Sequence, residues 1–173
     1  LPQTVPHCSQ LLPISVSNTV VFLPYCSNLP LDATNTQIEC VVVAIHGVDG
    51  NGLSYLNNAL AAAAKVPGTA ERTLMIAPQF WTEAQFGGVV PAGVLFWNYP
   101  FWGEDSASTT ANPRPVRASS FTALDTLLDF VCVRDRFPNL RRVVLAGHSG
   151  GGQMVQRYAV SSLFEVQVAS PRG

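Results

Sequence analysis

Lysine is almost absent from this 173-residue sequence, in which Lys65 stands alone, and charged residues make up only 12% of the chain. The formal net charge is −1 and the chain has no basic cluster, which argues against binding to nucleic acid or to an anionic membrane. No apolar run is long enough to span a bilayer. Histidine is also scarce, with three scattered copies, and no two cysteines have Cys-x-x-Cys spacing. We therefore expect no metal site and no cofactor.

The cysteine content points to an oxidising compartment. An even number of cysteines, scarce lysine and a proline-containing start without an initiator methionine are typical of a processed, secreted protein. A cytosolic protein with buried thiols is the alternative. Cys8 and Cys26 flank a predicted hairpin, while Cys40 begins a predicted strand and Cys132 lies near the end of a predicted helix. We predict two disulfides, Cys8–Cys26 and Cys40–Cys132, the second because strand starts and helix ends share the bottom of a parallel sheet.

Chain length predicts that residues 1–173 belong to a single domain, of which we expect them to form the amino-terminal portion, with residues 1–37 as an amino-terminal hairpin and extension. The expected strands are Ile14–Ser17, Thr19–Leu23, Cys40–Ile45, Thr73–Ala77, Arg142–Ala146 and Phe164–Ala169. The expected helices are Leu53–Val66, a helix capped by Ser119-Ser120 that ends near Phe137, and Gly152–Ser161. Alternation of strands and helices predicts an α/β fold with a mostly parallel, doubly wound sheet.

The segment Gly147-His148-Ser149-Gly150-Gly151 joins the Arg142–Ala146 strand to a helix. Gly-x-Ser-x-Gly between a strand and a helix is the context of a nucleophile elbow, in which the serine backbone is strained and two glycines let strand and helix close on each other. Ser149 is accordingly the candidate nucleophile. The alternative is a glycine-rich turn with an idle serine.

The stretch 79–118 has no long periodic element but contains all three tryptophans. Pockets are mostly apolar and lie outside the carboxyl ends of strands. One interpretation is therefore an aromatic wall of a substrate pocket, with Trp81, Phe96, Trp97 and Trp102 as candidates. The other is a satellite core beneath a long loop.

The elbow, the segment Val41–Gly47 and the order of elements between them resemble the α/β-hydrolase superfamily, nearest to its secreted esterase- or lipase-like members, from about Ile38 onward. The resemblance implies an eight-stranded, mostly parallel sheet and a Ser-His-acid triad. It also implies an oxyanion hole formed by the backbone N–H groups of Gly150 and Val48, the residue after His-Gly. His46 belongs to this motif, and we expect it to be a structural hydrogen-bonding group.

The triad of this family follows the chain order serine, acid, histidine. No histidine follows Ser149, and Glu165, the carboxylate that does, opens its strand at the wrong end of the sheet. His148 should point away from the serine hydroxyl, and His7 lies in the irregular start. We therefore expect a fold without its final strands, completed by a second polypeptide or carboxyl-terminal fragment that carries the histidine and the acid.

The leading functional hypothesis is a serine hydrolase that cleaves small or polymeric carboxylic esters through an acyl-enzyme on Ser149. The alternative is a catalytically inactive binding module that kept the fold. A lyase or transferase with the same fold is a lesser third hypothesis.

Overall fold

The computed structural model describes residues 8–86, 91–98, 101–110, 114–162 and 164. Their strands are β1 (Gln10–Val16), β2 (Thr19–Ser27), β3 (Cys40–Ile45), β4 (Thr73–Pro78), β5 (Trp81–Thr82), β6 (Phe96–Trp97) and β7 (Arg142–Gly147). Their α-helices are α1 (Gly52–Ala63), α2 (Ser120–Val131) and α3 (Gly150–Ser161). Short 3₁₀ turns occupy Ala70–Arg72, Glu83–Phe86 and Phe101–Glu104.

Five strands form one mixed sheet in the order β1-β2-β4-β3-β7. The predicted amino-terminal hairpin is confirmed, because β1 and β2 pair antiparallel. Strand β2 also pairs antiparallel with β4, whereas β4, β3 and β7 run parallel. The predicted Phe164–Ala169 strand lies outside the described residues, apart from Phe164, which packs against the main core.

Helices cover both faces of this sheet, as the side chains of β3 show. Val41, Val43 and Ile45 belong to the main core with residues of α2 and α3. Val42 packs in a second cluster that includes Leu56 of α1. Successive side chains of a strand point to opposite faces, so α1 lies on one face and α2 and α3 on the other. The molecule is therefore a mixed α/β structure.

Helix α2 begins where the sequence predicts. The Ser119 hydroxyl oxygen accepts a hydrogen bond from the Thr122 N–H at 2.9 Å, which satisfies one backbone donor of the first turn. The apolar face of the helix is buried, including Leu124, Leu127 and Leu128. Helix α1 is shorter than predicted, because after Ala63 the chain continues as turns towards Gly68, whose φ of 75° is a left-handed conformation.

The structure confirms one predicted disulfide and shows the other to be wrong. Cys8 and Cys26 are bonded, whereas Cys40 and Cys132 are free. The physical reason is the alternation of side chains along β3. Cys40 lies two residues from Val42, on the α1 face, whereas Cys132 packs against the main core on the opposite face.

A buried arginine, Arg114, holds together described parts of the stretch 79–118. In these parts the chain forms a two-residue parallel pairing of β5 with β6. The side chain of Arg114 is only 3% exposed, and its Nε donates to the Val94 carbonyl at 2.6 Å. Its Nη2 donates to the Pro91 carbonyl at 3.0 Å, and the guanidinium lies 4.3 Å from the centre of the Phe96 ring. Backbone carbonyls and a ring face thus replace water around this charge.

Strand β7 lies at one edge of the described sheet and carries the elbow at its carboxyl end. Val143, Val144 and Leu145 are half-buried, and Ala146 and Gly147 are exposed. No described helix combines the length and the apolar character that a bilayer crossing requires.

Candidate active site

Ser149 lies between β7 and α3 in a strained backbone conformation, with φ 55° and ψ −123°. Positive φ is uncommon for any residue with a side chain. The Ser149 side chain does not cap α3, and it has no hydrogen-bond partner among the described residues. The exposed hydroxyl is therefore presented to solvent at the amino end of a helix.

Two glycines allow this turn to exist. A Cβ added at Gly147 would lie 2.3 Å from the carbonyl carbon of Gly151, and one added at Gly151 would lie 2.2 Å from the carbonyl oxygen of Ile45. Both distances are far inside van der Waals contact. Helix α3 consequently packs against β7 and β3 backbone to backbone, as the sequence predicts for these two positions.

The loop after β3 approaches the elbow at Val48. A Cβ added at Gly150 would lie 3.5 Å from the Val48 nitrogen and 2.9 Å from its Cγ1. Neither the Val48 N–H nor the Gly150 N–H has an acceptor within the part of the chain that the structure describes. Both residues line a cavity of about 180 Å³ together with Ser149. The cavity is thus bordered by Ser149 and by two residues whose N–H groups have no described acceptor.

The wall of this cavity, which we call the Ser149 cavity, comes from a 3₁₀ turn and from α3. Trp102, Gly103 and Glu104 line one side, and Gln153 and Arg157 line the other. Arg157 Nη1 donates to the Gly103 carbonyl at 2.9 Å, and its Nη2 lies 3.5 Å from Glu104 Oε1. Both charged side chains are nearly half exposed, so their ion pair adds little stability. Together, the hydrogen bond and the ion pair of Arg157 connect the 3₁₀ turn to α3.

His46 is completely buried and holds a structural position. Its Nε2 accepts the Phe80 backbone N–H at 2.9 Å, which leaves Nδ1 protonated to donate to the Gly47 carbonyl at 2.6 Å. Burial lowers the pKa of His46 from 6.5 to about 4, so the ring is neutral at neutral pH. This confirms the predicted structural role and ties the loop after β3 to the end of β4.

An aromatic cluster packs around Trp102, which lines the Ser149 cavity. The rings of Phe80 and Trp102 stack with centroids 5.4 Å apart, and His46 meets Trp102 edge-on at 5.0 Å. Trp97 packs edge-on against Phe80, and its Nε1 donates to the Ser106 carbonyl at 2.8 Å.

The four predicted pocket residues are divided among three environments. Trp102 lines the Ser149 cavity. Trp81 lines a larger cavity of about 570 Å³ on the far side of the loop after β3, with Asp49, Leu53, Asn57 and Gln85 among its neighbours. Phe96 and Trp97 are completely buried and line neither cavity. Ser149, Val48 and Gly150 all line the smaller cavity, and none of them lines the larger one.

Tyr55 of α1 is a neighbour of Ser149 that sequence reasoning missed. Its hydroxyl lies 3.0 Å from His148 Nδ1. The side chains of Tyr55 and Ser149 both lie next to Gly47. A Cβ added at Gly47 would be 3.3 Å from the Tyr55 hydroxyl and 3.5 Å from the Ser149 Cβ, so Tyr55 and Ser149 are neighbours across this glycine. Tyr55 stands at an ordinary position of an amphipathic helix, and nothing in the local pattern marks it.

The described residues offer neither a base for Ser149 nor a metal site. His46 is enclosed by backbone groups, and His148 is bonded to Tyr55. His7 and Glu165 lie outside the described residues. Within the described ranges no three metal-ligating side chains converge.

Comparison with known proteins places this geometry in a structural context. No family model and no curated protein matches the sequence. Poly(aspartic acid) hydrolase-1 from Sphingomonas sp. KT-1 is similar in structure, with a TM-score of 0.50 and 18% identity over 89% of this chain and 51% of that protein. The siderophore hydrolase EstB from Aspergillus nidulans aligns with a TM-score of 0.39 and 20% identity over 94% of this chain and 55% of that protein.

Both of these proteins are hydrolases, and the chain spans about half the length of each. At such identity, the likeness to the Sphingomonas protein establishes a shared fold.

Proposed function

We propose that this chain is the amino-terminal part of a serine hydrolase of the α/β-hydrolase fold, which cleaves carboxylic esters through an acyl-enzyme on Ser149. One observation carries the proposal. Ser149, held at a φ of 55° with an uncommitted hydroxyl, lines a cavity together with Val48 and Gly150, whose N–H groups have no described acceptor. Strain of this kind persists where the surrounding structure enforces it, and it concentrates at active sites.

The reaction follows from the positions of these groups. Ser149 Oγ attacks the ester carbonyl carbon, its proton passes to a base, and the carbonyl oxygen becomes an oxyanion. The Val48 and Gly150 N–H groups would donate to that oxyanion, and the amino end of α3 adds a favourable dipole. The alcohol departs with the proton from the base. Water then adds to the acyl-serine by the same route and releases the carboxylic acid and the free serine.

The base and its acid are assigned to a segment beyond the described residues. A serine hydroxyl without a base is a weak nucleophile at neutral pH. A second polypeptide or carboxyl-terminal fragment that pairs beyond the β7 edge would bring a histidine to the Ser149 cavity. Two findings support this arrangement: the edge position of β7 in the described sheet, and the match of this chain to about half the length of the Sphingomonas hydrolase. The Cys8–Cys26 disulfide is compatible with the proposed secretion.

Trp102 is the aromatic residue that we assign to the substrate pocket. It borders the Ser149 cavity, and its ring is fixed by stacking on Phe80. The Trp102 ring is only 1% exposed, and its edge lies near Gly150. An apolar wall beside the nucleophile favours esters with an apolar group next to the carbonyl, because such groups gain from leaving water.

A non-catalytic binding module is the second candidate. The observation that favours it is the lack of a hydrogen bond from Ser149 to any histidine among the described residues. Such a module would keep the cavity but would not transfer an acyl group.

Labelling with a fluorophosphonate, followed by peptide mass spectrometry, tests the proposal on the protein as purified from its source. We expect a single adduct on Ser149, its loss in Ser149→Ala, and its retention in Ser161→Ala at the far end of α3. Intact mass under denaturing conditions shows in the same sample whether a second polypeptide is present. Ester hydrolysis with an unlabelled Ser149 would refute the assignment. Absence of both labelling and hydrolysis would favour the binding module.

A further inference from the structure

Three arginines meet at the end of the sheet opposite Ser149. Backbone hydrogen bonds extend the parallel ladder beyond the strands, from the Glu39 N–H to the Arg72 carbonyl at 3.0 Å and from the Arg141 N–H to the Glu39 carbonyl at 2.9 Å. Neighbouring chains in a sheet are about 5 Å apart. Arg72, Glu39 and Arg141 therefore stand side by side, and Arg142 follows opposite Cys40.

These residues line one hollow of about 310 Å³, which we call the arginine hollow. Its described lining is Glu39, Cys40, Thr69, Arg72, Thr73, Arg141 and Arg142. Three guanidinium groups and one carboxylate give it a formal charge of +2, in a chain whose net charge is −1. This cluster of positive charge is not evident from the sequence, because Arg72 lies far from Arg141 along the chain.

The donors of this hollow are largely open. Arg72 Nε donates to the Gly68 carbonyl at 2.9 Å, which fixes the guanidinium plane and leaves its outer nitrogens uncommitted. The side chains of Arg141 and Arg142 have neither a hydrogen bond nor an ion pair with any described residue. The Arg142 guanidinium lies near enough to the Cys40 thiol to oppose the rise in pKa that burial causes there. The three arginines thus line the same hollow as Glu39, and the described chain supplies few partners for their charges.

Crowded like charges destabilise a folded protein unless an opposite charge joins them. One carboxylate neutralises one of three guanidiniums. A ligand with a double negative charge would balance the remainder, and planar guanidinium groups bind tetrahedral oxyanions through paired hydrogen bonds. The Thr69 and Thr73 hydroxyls add neutral donors at the wall.

We propose that the arginine hollow binds a phosphate or sulfate group through Arg72, Arg141 and Arg142. The group is either a free ion or part of a larger molecule. Because the hollow lies at the amino ends of the parallel strands and Ser149 at the carboxyl end, binding here is separate from ester cleavage. This inference does not depend on the proposed hydrolase activity.

Titrations of the purified protein monitored by nuclear magnetic resonance test the proposal, with inorganic phosphate, sulfate and glycerol 3-phosphate as probes. We expect saturable shifts at the backbone amides of Glu39, Thr73 and Arg141. Stronger binding of glycerol 3-phosphate would identify a phosphate carried by a larger molecule, and equal binding would identify the free ion. Chloride at matched ionic strength should give no saturable shift.

The variants Arg141→Gln and Arg142→Gln, each with an unchanged folded spectrum, should bind phosphate about tenfold more weakly, since hydrogen bonds to charged groups are the strong ones. Arg117→Gln is the matched control. It removes the same charge from an exposed arginine outside the hollow and should bind within twofold of wild type. Equal losses in all three variants, or equal shifts with chloride, would overturn the proposal. Should both hollow variants fail to fold, wild-type shifts confined to the hollow would still support it, and shifts scattered over the surface would overturn it.

Discussion

Gly151 and Ile45 are in backbone contact across the elbow, because a Cβ on Gly151 would lie 2.2 Å from the Ile45 carbonyl oxygen. Gly151→Ala must push α3 away from β3. An alanine inside an ordinary helix is stabilising relative to glycine, but here overpacking against backbone outweighs that gain. We expect unfolding free energy to fall by about 1–3 kcal/mol or more in urea denaturation.

Gly103→Ala serves as the comparison, since its added Cβ would have its nearest contact at an ordinary 3.6 Å. Although Gly103 is buried, the added methyl group would make only ordinary van der Waals contacts, so stability should stay within about 0.5 kcal/mol of wild type. Wild-type stability in Gly151→Ala would mean that the elbow and β3 are not in contact.

The hydrogen bond between Tyr55 and His148 should couple α1 to the elbow. A double-mutant cycle of Tyr55→Phe with His148→Ala isolates this pair. Because the bond is exposed, we expect a coupling free energy of about 0.5–1 kcal/mol from urea unfolding. Strictly additive effects would show that the two side chains do not interact. In the active protein, Tyr55→Phe should lower kcat more than it changes KM, since Tyr55 lies beside Ser149 outside the cavity lining.

Burial of His46 predicts a specific pH dependence of stability. Its pKa is lowered from 6.5 to about 4, so the unfolded chain binds the proton more readily. The contribution of this group is complete above pH 6.5 and is lost as the pH falls from 6.5 towards 4. The difference between the two pKa values corresponds to a loss of unfolding free energy on the order of 3 kcal/mol. Urea denaturation between pH 7.5 and pH 4 measures it.

His46→Gln should flatten this dependence, because glutamine offers an acceptor to the Phe80 N–H without titrating. His148→Gln, which removes an exposed imidazole, should keep it. If His46→Gln does not fold, the imidazole signals of the wild type decide the matter. A His46 ring that takes up its proton near pH 6.5 in the folded protein would contradict the prediction.

Thiol chemistry should distinguish the four cysteines. The denatured, unreduced protein should contain two reactive thiols, Cys40 and Cys132, and reduction should raise the number to four. The double variant Cys8→Ala/Cys26→Ala should be about 2–4 kcal/mol less stable, because the disulfide restricts the unfolded chain. Cys132→Ala is the control, because it removes a cysteine that forms no disulfide. Reduction should lower the unfolding free energy of this variant by the same amount as that of the wild type. A count of four before reduction would disprove the Cys8–Cys26 disulfide, and a count of zero would disprove the free thiols of Cys40 and Cys132.

The sequence was sufficient where local chemistry determines the structure. Examples are the β-branched run of β3, the serine cap of α2 and the glycines around Ser149. In each case the conformation depends on residues that are adjacent in the sequence. Prediction failed where the outcome depends on which face of the sheet a side chain occupies. Cys40 and Cys132 illustrate this, since both are near the same end of the sheet but on opposite faces.

The aromatic stretch is a second example. Phe96 and Trp97 are completely buried, and Arg114 packs over the Phe96 ring while it binds the Val94 carbonyl. No periodic pattern in the sequence encodes these contacts. The arginine hollow exists only through the register of three parallel strands, which sequence separation hides.

The edge position of β7 has a consequence for the exchange of its amide hydrogens with solvent. In a parallel pairing, alternate residues direct their N–H groups to the neighbouring strand, and the remaining ones point the other way. Along β7 the amides bonded to β3 should exchange deuterium slowly, and the intervening ones should exchange quickly unless another strand covers them. Alternating slow and fast exchange between Arg142 and Gly147 would therefore show that the edge is open in solution, and slow exchange throughout would show that another strand covers it.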